Sequence, residues 1–318
     1  MSHAQPSPTP VRAPRIAVLV PCLNEEATIG KVVDDFRAAL PEAVIYVFDN
    51  ASTDRTAEIA AAHGATVVAE PRRGKGYVVD AMFQRVEADV YVLVDGDDTY
   101  EAARARELVA PVLAGQVDMA VGTRLTQYGA GSFRHLHVWG NRLLTGIVNR
   151  TFKTSLTDML SGYRAMSRRL VKTVPILSEG FEVETELTLR TLERKMSIAE
   201  LPLDYHARPA GSVSKLRTFR DGFRVVLSIL NITRSYRPLT FFGAIGAVFL
   251  AGGLVSGGVV IQDFMVDRYV EHVPLAILAT GCSIVAFLAF GIGIVLDTLS
   301  ERFREISHLL REPPDTLP

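Results

Sequence analysis

Cysteine and tryptophan are almost missing from this chain: two cysteines, Cys22 and Cys282, and a single tryptophan, Trp139, in 318 residues. Two distant cysteines in unlike surroundings exclude a disulfide framework and a thiolate zinc site, and they fit a reducing compartment. Charge of one sign is not in excess either. Lys and Arg number 34 against 35 Asp and Glu, a net charge of −1, so nothing draws the chain toward nucleic acid. No GxxxxGK is followed by Ser or Thr, which removes the P-loop. The first residues, with Pro6, Pro8, Pro10 and Pro14, lack an apolar signal core. They read as a disordered leader over residues 1–14.

Charge is absent altogether from two stretches. Leu239 to Ile261 and Val273 to Leu296 contain no Asp, Glu, Lys or Arg, and each is longer than the roughly 20 residues a helix needs to cross a bilayer. Their glycines, Gly243, Gly246, Gly252, Gly253, Gly257 and Gly258, then Gly281, Gly291 and Gly293, suit close packing between membrane helices. The competing reading is a pair of buried core helices. The arginines give an orientation: Arg220, Arg224, Arg234 and Arg237 precede the first stretch, and Arg302, Arg304 and Arg311 follow the second. By the positive-inside rule both termini and everything before the first stretch face the cytoplasm. The expected division is a cytosolic domain over 15–215, an amphipathic juxtamembrane helix over 216–238, two transmembrane helices within 239–297 and a cytosolic tail over 298–318.

What is present is organised around Tyr91 to Tyr100 (YVLVDGDDTY). A short Val-rich run, apolar on both faces, reads as a buried strand. It ends in Asp95, Gly96, Asp97 and Asp98, at the strand end where open α/β sheets bind ligands. Two carboxylates flanking a glycine can aim at one point, as hard oxygen ligands of Mg²⁺ or Mn²⁺ do. An acidic surface turn has the same composition.

Strand and helix alternate around it. Arg15 to Pro21 is a strand followed by Cys22-Leu23-Asn24-Glu25-Glu26, and Thr28 to Leu40 has helical periodicity. Ala43 to Phe48 is a strand running into Asp49-Asn50-Ala51-Ser52-Thr53-Asp54, with Ser52 or Thr53 placed to cap a helix through Ala62. Thr66 to Ala69 is a third strand, then Arg72-Arg73-Gly74-Lys75-Gly76 leads into a helix. That basic loop is either a phosphate-approaching turn or a solvated one. The alternation predicts a parallel α/β sheet, which brings Asn24/Glu25, Asp49/Asn50 and Asp95/Asp97 to one edge.

Downstream, a helix from Ala102 to Ala114 precedes a strand at Asp118 to Val121, closed by Gly122-Thr123-Arg124. His135 to Phe152 is amphipathic, with Trp139 either core or an interfacial anchor. Asp158 to Arg164 (DMLSGYR) is a second polar cluster before a short helix. Phe181 to Glu186 opens another helix, where carboxylates suit the positive end of the dipole. Arg208 to Lys215 gathers cations and hydroxyls around a glycine, suited to an anion or to a solvated linker. Leu216 to Arg237 reads as a helix lying in the membrane surface, and Ser300 to Leu310 as a short amphipathic tail helix.

Taken in order, PCLNEE, DNASTD, RRGKG, DGDD, GTR and DMLSGYR resemble the motif series of family-2 glycosyltransferases with a GT-A fold. The chain is most similar to the membrane-bound polyprenyl-phosphate subgroup, dolichol-phosphate mannose synthase included. The resemblance runs from Ile16 to Lys215, and the C-terminal hairpin matches two-span members. It implies a mostly parallel sheet flanked by helices, with amphipathic interfacial helices and a transmembrane hairpin. It implies transfer of one sugar from a nucleotide-sugar to polyprenyl phosphate in a bacterial-type inner membrane, with Mg²⁺ or Mn²⁺, no nucleic acid, and oligomeric state open, a homo-oligomer included.

Roles are implied position by position. Pro21, Asn24, Glu25, Asp49, Lys75 and Asp95 match nucleotide-sugar-binding positions, and Asp95 with Asp97 matches the metal-binding DxD. Arg124, Arg208, Ser214 and Lys215 match positions linked to the phosphates of donor or acceptor, and are assigned here to the acceptor phosphate. Asp158, Arg124 and Arg164 are the candidate catalytic residues, Asp158 either as base or as a group that positions substrate. Asp98-Thr99 departs from the common DADLQ continuation, and the QxxRW motif of processive synthases is absent, which favours a single transfer per turnover. Two rivals are a membrane-anchored scaffold that has lost catalysis and a sugar nucleotidyltransferase. The second leaves the hairpin without a purpose.

Overall fold

The structure is a computed structural model, and it describes residues 13–124, 145–180, 182–204, 227, 230, 233–234, 237–270 and 272–309. The chain forms two compact units, residues 1–226 and 227–318.

The first unit is built on strands β1 (Ile16–Cys22), β2 (Val44–Asp49), β3 (Thr66–Ala69), β4 (Val90–Leu93), β5 (Met119–Arg124), β6 (Arg164–Ser167) and β7 (Ile198–Leu203). They make one 7-stranded sheet in the order β3-β2-β1-β4-β6-β5-β7. All neighbours pair parallel except β6, which runs antiparallel to both β4 and β5. The helices are α1 (Ile29–Ala39), α2 (Thr56–Ala62), α3 (Lys75–Arg85), α4 (Ala105–Leu113), α5 (Arg168–Thr173) and α6 (Val183–Glu193).

The strands carry apolar side chains on both faces because both faces are covered. Val18, Val20, Ile45, Val47, Val90, Val92 and Val94 pack with Val32 and Phe36 of α1 and Leu108 of α4. Ala17, Leu19, Tyr91, Leu93, Met119 and Val121 pack on the other side with Met82 of α3, Leu170 of α5 and Leu187 of α6. This is a three-layer α/β/α unit.

Neither β6 nor β7 follows from the sequence reading. β6 is the four residues RAMS, opened by an arginine, and carries no apolar run to announce it. β7 contains Pro202, which a sheet tolerates because β7 lies at the edge, paired among the described residues with β5 alone. The expected cap on α2 also differs. Neither Ser52 nor Thr53 serves, and Asp54 Oδ1 accepts from Thr56 N at 3.0 Å instead. Ser52 and Thr53 are tied to Asn24: Ser52 Oγ accepts from Asn24 N at 2.9 Å, and Thr53 N donates to Asn24 Oδ1 at 2.7 Å.

The second unit holds α7 (Pro238–Asp267) and α8 (Val273–Leu309). Pro238–Asp267 and Val273–Ser300 are long and apolar enough to cross a membrane. Large side chains such as Val248, Leu254, Phe287 and Leu288 are exposed along them. Facing positions are small: a Cβ on Gly253 would lie 3.1 Å from Ser283 Oγ and 3.2 Å from Ala279 O, so the two backbones approach closely. The separate tail helix expected over Ser300 to Leu310 is not separate, since α8 continues without a break to Leu309. The leader up to residue 12, the part of the Trp139 segment before residue 145, the Arg208–Lys215 loop and most of the expected juxtamembrane helix lie outside the described residues.

Candidate active site

One sheet edge receives the carboxyl ends of β1, β2, β4 and β5, because those strands run parallel. The reversal of β6 completes it. Arg164, its first residue, is in register with Leu93 of β4 and Val121 of β5, so the loop entering β6 arrives at the same edge where the others leave. Asn24, Glu25, Asp49, Asp95, Asp97, Arg124 and Asp158 are thereby delivered together.

The loops after β1 and β2 are laced together by backbone-to-side-chain bonds. Asn24 takes a left-handed backbone, φ 51°, and links the loops after β1 and β2 through Ser52 and Thr53. Glu25 is buried, and its N–H donates to Thr56 Oγ1 at 2.8 Å. Pro21 lies in β1 opposite Phe48. Asp49 keeps a buried Oδ1 with no hydrogen-bond partner among the described residues, and a buried acceptor left so costs about 1–3 kcal/mol unless something donates to it. A pyrimidine or purine ring N–H is such a donor.

Asn50 holds the basic loop: its Nδ2 donates to Glu70 O at 3.0 Å and Arg72 O at 2.7 Å, and its Oδ1 accepts from Gly74 N at 2.8 Å. Gly76 N donates to Glu179 O at 3.2 Å. These amides are therefore already engaged, and the phosphate-cradle alternative for the glycines falls away. A Cβ on Gly76 would stand 1.8 Å from Ser178 O, so the glycines admit a neighbouring backbone. Lys75 is the part of this loop that reaches the site. Its Nζ donates to Asp95 Oδ1 and to Glu184 Oε1, both at 2.5 Å. Burial alone would lower the ammonium, but the two carboxylates outweigh it and raise it well above its ordinary value.

Asp97 is 3 % exposed, and its Oδ1 accepts from Thr99 Oγ1 at 2.6 Å. Among the described residues no group of three or more His, Cys, Asp or Glu converges. Asp95 and Asp97 are hard oxygen donors too few to enclose an ion. That donor set fits a divalent cation that keeps waters and is shared with a substrate phosphate.

Arg124 and Asp158 form a two-pronged pair, Nε to Oδ2 at 2.8 Å and Nη2 to Oδ1 at 2.9 Å, with Arg124 N adding 3.3 Å to Oδ2. Burial would raise the Asp158 carboxyl, but the hydrogen bonds and charge of Arg124 outweigh it and hold it below the ordinary value. A base poised near neutrality needs the opposite shift. Glu200 on β7 braces the same loop, accepting from Thr157 N at 2.8 Å, Thr157 Oγ1 at 2.8 Å and Asp158 N at 3.1 Å. Arg164 is placed differently from the expectation. It is fully buried and donates to Ser161 O, Met159 O and Thr188 Oγ1 at 2.8, 2.7 and 2.8 Å, so it holds the loop's shape and presents no cation to a ligand. Arg208, Ser214 and Lys215 lie outside the described residues.

Sequence reading missed Glu184, Glu200 and the bracing role of Asn50. The dipole alone accounts for Glu184 and Glu186 in the sequence, yet both are buried, 5 % exposed. Glu186 accepts from Ser178 N at 2.8 Å and pairs with Arg190 at 2.7 Å. The signal available was the alternation of the two acids with Val183, Thr185 and Leu187, which is not the pattern of a solvated helix face.

A three-layer unit with one reversed strand and an acidic strand end is a GT-A arrangement. Residues 17–174 match the family described as glycosyl transferase family 2. The chain is 32% identical over 303 residues to glycosyltransferase AglJ of Haloferax volcanii, covering 92% of this chain and 98% of that one. It belongs to that family. A dolichyl-phosphate hexose transferase of Haloferax volcanii is 30% identical over 217 residues, 68% of this chain and 93% of that one. Among solved structures, glucosyl-3-phosphoglycerate synthase from Mycobacterium tuberculosis, in complex with Mn²⁺, uridine diphosphate and glucosyl-3-phosphoglycerate, superposes with TM-score 0.57 at 27% identity. The match covers 69% of this chain and 80% of that chain.

Proposed function

We propose that this glycosyltransferase moves one sugar from a nucleotide-sugar, a UDP-hexose in preference to GDP-mannose, onto polyprenyl phosphate of undecaprenyl type at a bacterial-type inner membrane. The observation that carries the reading is the joining, in one chain, of a carboxylate- and cation-lined GT-A edge with two helices of membrane-spanning length. The similarity to a dolichyl-phosphate hexose transferase supports the acceptor class. A relative solved with Mn²⁺ and uridine diphosphate supports the donor class and a divalent metal, Mg²⁺ or Mn²⁺.

Asp49 Oδ1 would accept from the base N–H, Asn24 and Glu25 would shape the nucleoside pocket, and Lys75 would meet the diphosphate. A divalent cation on Asp97 and Asp95 would neutralise charge on the departing diphosphate. An acceptor phosphate oxygen attacks the anomeric carbon from the face opposite the leaving group. The new carbon–oxygen bond forms as the bond to the nucleoside diphosphate breaks, and the centre inverts. A phosphate monoester is mostly dianionic at pH 7, its second pKa lying near about 6, so no strong base is needed. Asp158, held ionised by Arg124, therefore positions substrate, and Arg124 with Arg208, Ser214 and Lys215 balances the acceptor's charge. The positive-inside arginines put the head and both termini in the cytoplasm.

Purified protein in detergent should convert undecaprenyl phosphate to a glycolipid with one of UDP-Glc, UDP-GlcNAc, UDP-Gal or GDP-Man, given Mg²⁺ or Mn²⁺. EDTA or Asp97→Ala should abolish product. Donor hydrolysis alone would overturn the acceptor assignment, and no binding of any donor would favour the scaffold reading.

A further inference from the structure

The roles above leave the buried carboxylate of Glu184 unexplained. Lys75 sits between Asp95, from the end of β4, and Glu184, from α6, at 2.5 Å from each. The side chains of Lys75 and Glu184 are 9% and 7% exposed, whereas Asp95 keeps 28%. Asp95 is thus the member of the trio that a ligand can reach, and it already carries an ammonium. A cation arriving at Asp95 competes with that ammonium for the charge of one carboxylate, whose Oδ1 Lys75 holds. Were Asp95 the only acceptor, releasing Lys75 would strand a buried charge, which is costly. Glu184 removes that cost. Its backbone is fixed by Thr188, whose Oγ1 donates to Glu184 O at 3.0 Å and accepts from Arg164 Nη1 at 2.8 Å. Lysine suits such an exchange, being a point charge with three rotatable donors on a flexible stem.

Resting on the donor site proposed above, we propose that Glu184 is a positioning residue that gives Lys75 a permanent acceptor, so that Lys75 releases Asp95 to the incoming metal–nucleotide. Lys75 then exchanges Asp95 for a donor phosphate oxygen without leaving Glu184.

Two substitutions that each remove one charge from the trio should move metal binding in opposite directions. The test is Mn²⁺ binding to the full-length protein in detergent, followed by the electron paramagnetic resonance of free Mn²⁺, alone and with UDP or GDP. Lys75→Gln should bind Mn²⁺ alone more tightly than wild type, roughly tenfold or more, because the competing charge is gone. Glu184→Gln should bind it more weakly by a similar factor, with or without nucleotide, since Lys75 is left with Asp95 alone. The Lys75→Gln/Glu184→Gln double variant should return to the tight value. Glu184→Asp, which keeps the charge, should restore most of the wild-type affinity and guards against a folding defect in the amide variant. Weakening by Lys75→Gln and Glu184→Gln alike, or no change in Glu184→Gln, would overturn the inference while leaving the glycosyltransferase reading intact. Wild-type protein that binds no Mn²⁺ with either nucleotide would overturn both.

Discussion

Two cations at one sheet edge are held in contrasting ways. Arg124 grips a single carboxylate with two prongs, 2.8 and 2.9 Å to the two oxygens of Asp158. Lys75 divides one ammonium between carboxylates from two elements. The first arrangement fixes direction, because a planar fork matches only one carboxylate pose. The second fixes charge and leaves direction free. The edge thus holds one cation by direction and the other by charge alone.

Removing the acidic strand end should have the largest effect. Asp97→Ala is expected to lower glycolipid formation about a thousandfold or more, with Tm moved by only a few degrees, which turnover and thermal unfolding of the same preparation would check. Arg124→Lys keeps the charge and loses the fork. Transfer should fall about 100-fold, whereas nucleotide affinity, measured calorimetrically, should hold. Asp158→Asn should cost on the order of 2 kcal/mol of stability, less than a fully buried pair because Arg124 reaches solvent. That change also has a pH signature. The folded Asp158 carboxyl lies below its ordinary value of 3.8, so its stabilising effect is complete above that value and is lost as pH falls through the lower, folded one. The Tm difference between wild type and Asp158→Asn should therefore be constant from pH 7 to about pH 5 and shrink below about pH 4. Glu200→Gln, which keeps the shape and weakens the brace on Thr157 and Asp158, should be mildest, under about 1 kcal/mol.

The half of this edge built on β1 to β4 was legible in the sequence, and the other half only in outline. β1 to β4 are Val-rich runs ending in Asn, Asp and Glu, and periodicity finds such runs. Asp158 could be named from its motif, but its route to the edge could not, because β6 is four residues without a hydrophobic pattern and its direction depends on pairing. Arg164 looked like a ligand-facing cation because sequence does not reveal which way a strand's first side chain points. Glu184 was hidden for a related reason: its partner Lys75 is 109 residues away.

The loop entering β6 also touches the acidic strand end directly. A Cβ added at Gly162 would fall 2.6 Å from Asp95 Oδ2, and Gly162 N donates to the Tyr100 hydroxyl at 2.9 Å. The loop after β4 and the loop entering β6 are therefore not independent modules that recombination can trade. A loop borrowed from a relative must arrive with a glycine at this position or disturb Asp95. Diversification of such enzymes is channelled toward paired changes, one in each half, made around a contact that stays bare.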